Sequence, residues 1–405
     1  MHRWMKTSNR YFACLSSLTL ILIYSFQYFY NWPLLKLSGI LGSERYIDLV
    51  SIQNMAKCVS SAGIRVYELG ESCSGYQYSL GILHIFDITK FSEIDRNLGA
   101  AILEFPILSL MVLLLFLAFK KSNGVGFFAF VTLMSPGNWL LFERGNLDLI
   151  MISCLILATI TFRTKYELLG FSALILSILT KFYTAPLLVL YILIGNPRLR
   201  LKVFAPITIL VYLFTLFQIS LVAQFPSTWY VSFGSGSLGH WINLFLEHFV
   251  ESTYRLSEGT SFILGISVMS ASILIQLKVF KVFKVESAVF SKTSSRGVLF
   301  FGLTFLGCYA AGMNYDYRLI FPICASIILL IKENQVPLRT YFIVIATISF
   351  WLSSFFYGQL GLLVIYQQFL GDIFVGLLAA YFAAYFVFEY KATVGEKVRR
   401  CLRRK

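Results

Sequence analysis

The sequence predicts an all-α, polytopic integral membrane protein, and three observations lead there. Charged residues make up only 13% of the 405-residue chain, where a soluble domain carries about a quarter. Hydrophobic residues make up 58% and aromatic residues 17%, with a mean hydropathy of +0.74. Apolar runs of ~15–25 residues recur along the whole length, long enough to cross a bilayer. No long polar tract remains for a separate soluble domain, so residues 1–405 read as one transmembrane domain of about 10–12 helices.

The charge pattern orients those helices. The net charge is +14, which in a soluble chain would suggest a nucleic-acid partner. With both termini inside, the inner segments carry +19 and the rest of the chain −5. The positive-inside rule accounts for that split with no nucleic acid. The basic tail at residues 390–405 then reads as a juxtamembrane anchor on anionic lipid. The expected location is the cell (inner) membrane, with both termini cytoplasmic.

In chain order, Tyr11–Tyr30 is the first span, retained because no small-residue cleavage site follows it. Residues 31–97 form a large first outer loop, whose polar core is 41–95. Leu98–Phe119 returns to Lys120 and Lys121, and Val125–Leu141 goes out, with Pro136 near its outer end. Leu147–Phe162, Leu168–Thr180 and Phe182–Ile194 follow as short crossings, for which two long kinked helices are the alternative to four short ones across 124–195. Val203–Ala223 leads to a second outer loop at 224–260, where His240–Val250 can form an interfacial amphipathic helix. Ser261–Gln276, Val298–Gly312, Leu319–Ile331, Tyr341–Phe356 and a last span within Leu360–Phe388 complete about twelve crossings.

Seven cysteines are present. Cys14, Cys154, Cys308 and Cys324 lie in apolar spans and Cys401 in the tail, so Cys58 and Cys73 are the two in the first outer loop. Two cysteines in an oxidising compartment read as a disulfide. Neither zinc-type spacing nor an Asp-x-Asp motif occurs, so no metal is expected.

Four polar clusters fall at outer ends of spans: Asp48; Glu143-Arg144-Gly145-Asn146-Leu147-Asp148; Lys181-Phe182-Tyr183; and Asn314-Tyr315-Asp316-Tyr317-Arg318. One topology brings all four to the same membrane face. Ionisable residues near hydrocarbon pair with one another or serve function. Spacing allows bland pairs, Arg144 with Glu143 or Asp148 and Arg318 with Asp316. It also allows chemistry. Arg144, Lys181 and Arg318 can hold a phosphate, and a carboxylate beside a bound hydroxyl can accept its proton.

At these residues the chain resembles the polyprenyl-phosphate-sugar-dependent glycosyltransferases of the GT-C superfold, and among them glycosyltransferase family 87, whose members include bacterial mannosyltransferases. The likeness lies in Asp48 followed by Gly63-Ile64-Arg65-Val66-Tyr67 and the aromatic turn Tyr76-Gln77-Tyr78, in Glu143-Arg144-Gly145-Asn146, in Lys181-Phe182-Tyr183 before Pro186, and in Asp316-Tyr317-Arg318-Leu319. Ser79 stands where family members often have proline.

The resemblance implies a GT-C-like fold with Asp48 as catalytic base and a basic residue on the donor phosphate. Arg318, Lys181 and Arg144 are the candidates for that contact, supported by Glu143, Asn146, Asp148, Asp316 and Tyr78. It implies no cofactor beyond the polyprenyl-phosphate sugar donor, a lipid or glycan acceptor, and surrounding membrane lipids. The expected reaction is inverting hexosyl transfer at the outer face. Two rivals stay open at this stage. One is a surface-polysaccharide polymerase centred on 224–260; the other is a transporter or flippase of lipid-linked glycans, which favours mid-span ionisable residues, of which Glu104 stands out.

Overall fold

Apolar residues run around most of the helical stretches, and the computed structural model turns them into helices whose buried sides meet in one core while other apolar side chains on them, such as Phe105 and Leu213, stay exposed. It describes residues 2–30, 46–62, 80–222, 232–233, 242–244, 246–247, 250, 255–282, 293–310, 314–332, 336–352 and 363–402. The helices are α1 (His2–Tyr30), α2 (Ile47–Ala62), α3 (Leu80–Ile88), α4 (Arg96–Lys121), α5 (Asn123–Leu133), α6 (Pro136–Arg144), α7 (Asp148–Thr161) and α8 (Glu167–Thr180). They continue as α9 (Pro186–Ile194), α10 (Ala205–Val222), α11 (Glu258–Val282), α12 (Thr293–Ala310), α13 (Ile320–Lys332), α14 (Val336–Leu352) and α15 (Leu363–Leu402). Among the described residues the extended backbone is one antiparallel ladder of two-residue strands, β1 (Ser232–Phe233) and β2 (Asn314–Tyr315).

Length sorts these helices. Arg96–Lys121, Pro197–Phe217, Gly259–Lys281 and Phe369–Phe388 are long and apolar enough to cross a membrane. Asn123–Leu133 and Pro136–Phe142 form a fifth if the pair is counted as one span; it bends by 52°. The break is chemical: Pro136 cannot donate to the Thr132 carbonyl one turn back, which accepts from Ser135 N–H and Asn138 Nδ2 instead, while Trp139 Nε1 donates to the Met134 carbonyl at 2.7 Å. By length and composition the described residues therefore give four or five such helices, where 10–12 were expected. The other apolar helices are shorter, among them Asp148–Thr161, Glu167–Thr180 and Ile320–Lys332. Between 124 and 195 the chain forms short helices separated by turns, not two long kinked ones.

The segment expected as the first outer loop has helices of its own. Its 41–95 core contains α2, α3 and a 3₁₀ turn at Phe91–Glu93. Leu49, Ile52, Met55, Ala56 and Val59 are all buried. Their spacing of three and four is that of one helix face. Gln53 on the same helix donates to the carbonyls of Phe91 and Ile94, at 3.1 and 3.0 Å. Asp95 caps α4 by accepting from the backbone of Asn97 and Leu98. Most of 224–260 lies outside the described residues; within the expected helix at His240–Val250, positions 242–244 and 246–247 are described and helical.

α7 folds back on α8, α12 on α13, and α15 packs against α11, α12 and α14. The α7–α8 hairpin puts the start of α7 and the end of α8 together, and the 3₁₀ turn Asp316–Leu319 lies against α6. At the other end of the hairpin Phe162, Phe171, Tyr191, Phe204 and Phe300 interlock edge to face. Such aromatic pairs contribute about 0.5–1.5 kcal/mol each beyond burial. Buried Glu167 accepts from the backbone of Arg163 and Asn196 there, holding two turns with one carboxylate.

Candidate functional site

The site starts at a corner. α6 ends at Arg144, Gly145 adopts φ +58°, and α7 begins at Asp148. That left-handed conformation disfavours any residue with a Cβ. A Cβ on Gly145 would also lie 3.1 Å from Tyr46 Cδ1 and 3.2 Å from Leu49 Cβ. Bare backbone thus lets the start of α2 press against the corner, and Asp48, in the first turn of α2, faces it. A helix N-terminus favours a carboxylate.

Asp48 is 1% exposed. Arg144 Nε lies 3.0 Å from both of its oxygens, and the Arg144 NH2 group also donates to Oδ1. Asn146 Nδ2 donates to Oδ2. The other end of the Asn146 amide continues the network, with its Oδ1 accepting from Lys181 Nζ at 2.8 Å and from the backbone N–H of Asp148 at 3.0 Å.

Asp148 is completely buried and forms the second centre. Lys181 Nζ lies 2.9 Å from Oδ1 and Arg318 Nε 3.4 Å from Oδ2. Lys181 ends α8 in an extended conformation, in the turn between α8 and α9. Arg318 comes from the 3₁₀ turn after β2, with its guanidinium 4.5 Å from the centre of the Tyr183 ring, a cation–π contact. Burial pushes the Lys181 ammonium down to about 8; the Asp148 carboxylate opposes the shift and Arg318 reinforces it.

Four polar clusters separated by up to 270 residues therefore meet in one buried network. It joins Asp48, Arg144, Asn146, Asp148, Lys181 and Arg318. Arg144 meets Asp48 and Arg318 meets Asp148, both across the fold, while the side chains of Glu143 and Asp316 lie outside the description. Among the described residues the network holds three cations, Arg144, Lys181 and Arg318, and two carboxylates, Asp48 and Asp148. Buried charges persist only when paired, and each of the three cations meets a carboxylate here.

An open apolar groove of about 470 Å³ lies between α4, α7 and α8. Ile102 and Leu103 form one wall; Ile150, Cys154, Leu157, Leu169 and Leu176 line much of the rest. None of the residues of the charged cluster lines it.

The remaining expected residues are placed less fully. Glu143 is in α6 and Asp316 in the 3₁₀ turn, their side chains outside the description, as is all of Tyr78. Cys58 is disulfide-bonded, and Cys73, its expected partner, lies outside the described residues. Cys14, Cys154, Cys308 and Cys324 carry thiols outside any disulfide. Among the described residues no three His, Cys, Asp or Glu side chains converge as a metal site. Sequence reasoning missed Asp372, an acid 5% exposed within the Phe369–Phe388 stretch and close enough to Tyr309 to act on its hydroxyl electrostatically. A lone Asp in an apolar run was the available signal. No family model matches the chain, and no curated protein or solved structure matches it significantly.

Proposed function

We propose that the protein is an integral-membrane glycosyltransferase of about twelve spans, moving a sugar from a polyprenyl-phosphate-linked donor to a lipid-linked or surface-glycan acceptor at the outer membrane face. The observation that carries this reading is the buried network that gathers Arg144, Lys181 and Arg318 with Asp48 and Asp148 from four outer-end motifs. A lipid phosphate is an anion that such cations can hold, and a carboxylate beside it can accept a hydroxyl proton. The motif resemblance to GT-C enzymes rests on the same residues.

In this reading an acceptor hydroxyl oxygen attacks the anomeric carbon from the face opposite the phosphate. The new glycosidic C–O bond forms as the bond from the anomeric carbon to the phosphate oxygen breaks. Asp48 takes the hydroxyl proton, and the electron pair of the broken bond stays on the polyprenyl phosphate. Single displacement inverts the anomeric centre. Cations already fixed by Asp148 and Asn146 stabilise the leaving phosphate without reorganising. The shorter helices complete the crossings with the outer-end motifs on one side, in the cell membrane, both termini cytoplasmic.

A polymerase reading draws on one observation: β1, from the second outer loop, pairs with β2 immediately before Arg318. Mass spectrometry of cell-surface glycans and glycolipids, with and without the protein, separates the two. Loss of one sugar from a defined glycolipid supports transfer of a single residue. Loss of long chains with accumulation of their repeat unit would replace the proposal with polymerisation, and an unchanged profile would reject both.

A further inference from the structure

We infer that Asp48 occupies Arg144 as an internal stand-in for the substrate phosphate, and that donor binding exchanges one anion for the other. This rests on the reading of the cluster as a lipid-phosphate site. At Asp48 three N–H donors converge: Arg144 Nε, shared between both oxygens, Arg144 Nη2 on Oδ1 and Asn146 Nδ2 on Oδ2. With the residue only 1% exposed, an attacking hydroxyl reaches the carboxylate where one of these donors makes way.

Arg144 is the contact that a phosphate can take. Its fork fits the oxygens of a phosphate as well as those of a carboxylate. It is the most accessible of the three cations, its side chain 12% exposed against 7% for Lys181 and 6% for Arg318. Lys181 and Arg318 are engaged from behind by Asp148, which has no exposure of its own. Asn146 is held by Lys181 and the Asp148 backbone, so it keeps its grip on Oδ2 while Arg144 moves. A phosphate arriving beside Lys181 and Arg318 takes the Arg144 fork, and Asp48 then regains free lone pairs while Asn146 still orients it. The base becomes available only when donor is bound. Donor therefore binds before acceptor, and the empty enzyme keeps its carboxylate neutralised.

The exchange is tested by binding of farnesyl phosphate, a short prenyl monophosphate, to the full-length protein in detergent, with farnesol as the neutral control. Asp48→Asn removes the competing charge with little change of shape, so the probe should bind more tightly, on the order of tenfold; Asp48→Ser is a second neutral replacement. Arg144→Ala should weaken binding, and adding Asp48→Asn to it should bring no gain. Farnesol binding should stay level throughout. Both Asp48 variants are checked by melting temperature. In the unaltered protein, infrared spectra with isotope-labelled aspartate should show one carboxylate leaving its arginine-bound state on saturation with probe, a readout that requires no folded variant. If the parent binds farnesyl phosphate but neutral variants bind it no better and the aspartate bands do not move, the exchange is wrong and the phosphate site stands. If farnesyl phosphate binds no better than farnesol to any form, the phosphate site fails, and the exchange with it.

Discussion

Arg144, Lys181 and Arg318 carry the same charge, yet their surroundings predict different failures on substitution. Asp48→Asn should retain donor and lose turnover by ~10²–10⁴-fold, the usual effect of removing a general base. Arg318→Ala should weaken both donor binding and turnover, since its charge meets the phosphate before and during bond breaking. Arg318→Lys should recover part of this, because the ammonium lacks the planar fork. Transfer from a polyprenyl-phosphate sugar in liposomes decides: normal turnover by folded Asp48→Asn removes Asp48 as the base. Lys181 adds a pH dependence. Its burial lowers the proton affinity to about 8, against about 10.4 for an unperturbed lysine. Between those values the unfolded chain holds the proton that the folded chain has lost. That group's contribution to stability thus rises with pH across the window, while the site loses a positive charge. Affinity for farnesyl phosphate should fall as pH passes 8, and Lys181→Met should flatten that limb while lowering affinity at neutral pH. An equal fall in the variant would assign the limb to another group.

At the scale of elements, the docking of α2 on the α6–α7 corner assembles the site. Gly145 combines a left-handed backbone with two contacts that leave no room for a Cβ. Gly145→Ala should therefore cost about 1–3 kcal/mol through backbone strain, read as a lower melting temperature. It should also push α2 outward, moving Asp48 away from Arg144, so farnesyl phosphate affinity should change with it. An unchanged melting temperature would show that the corner relaxes without cost. The helix itself was legible in principle. Leu49, Ile52, Met55, Ala56 and Val59 keep a helical period, with Gln53, Asn54 and Lys57 between them. Asn54 and Lys57 are exposed, whereas Gln53 and Asp48 are polar and buried because partners far along the chain satisfy them.

At the scale of the molecule, the prediction concerns orientation. The split of +19 against −5, counted with both termini inside, predicts cytoplasmic termini under the positive-inside rule. A reporter fused after Lys405 should be active only if it is of a kind that works in the cytoplasm. Activity from a reporter that works solely outside would invert the topology and move the Asp48 cluster to the inner face.

Composition and periodicity by themselves determined the helical class, the run of apolar segments and their approximate ends. They act locally: hydrophobic spacing, proline breaks and flanking cations need no distant partner to be read. The four polar clusters could also be picked out, because a charge beside an apolar run stands out in any window. Which charges meet was decided by the tertiary structure alone. Local spacing offered Arg144 the side chains of Glu143 and Asp148, and Arg318 that of Asp316. Helix packing brought Asp48 to Arg144 across 96 residues and Asp148 to Arg318 through the α7–α8 hairpin and the turn after β2. A buried charge takes the partner that packing presents inside the low-dielectric interior, where pairing counts most, and that choice is not written in the neighbouring residues.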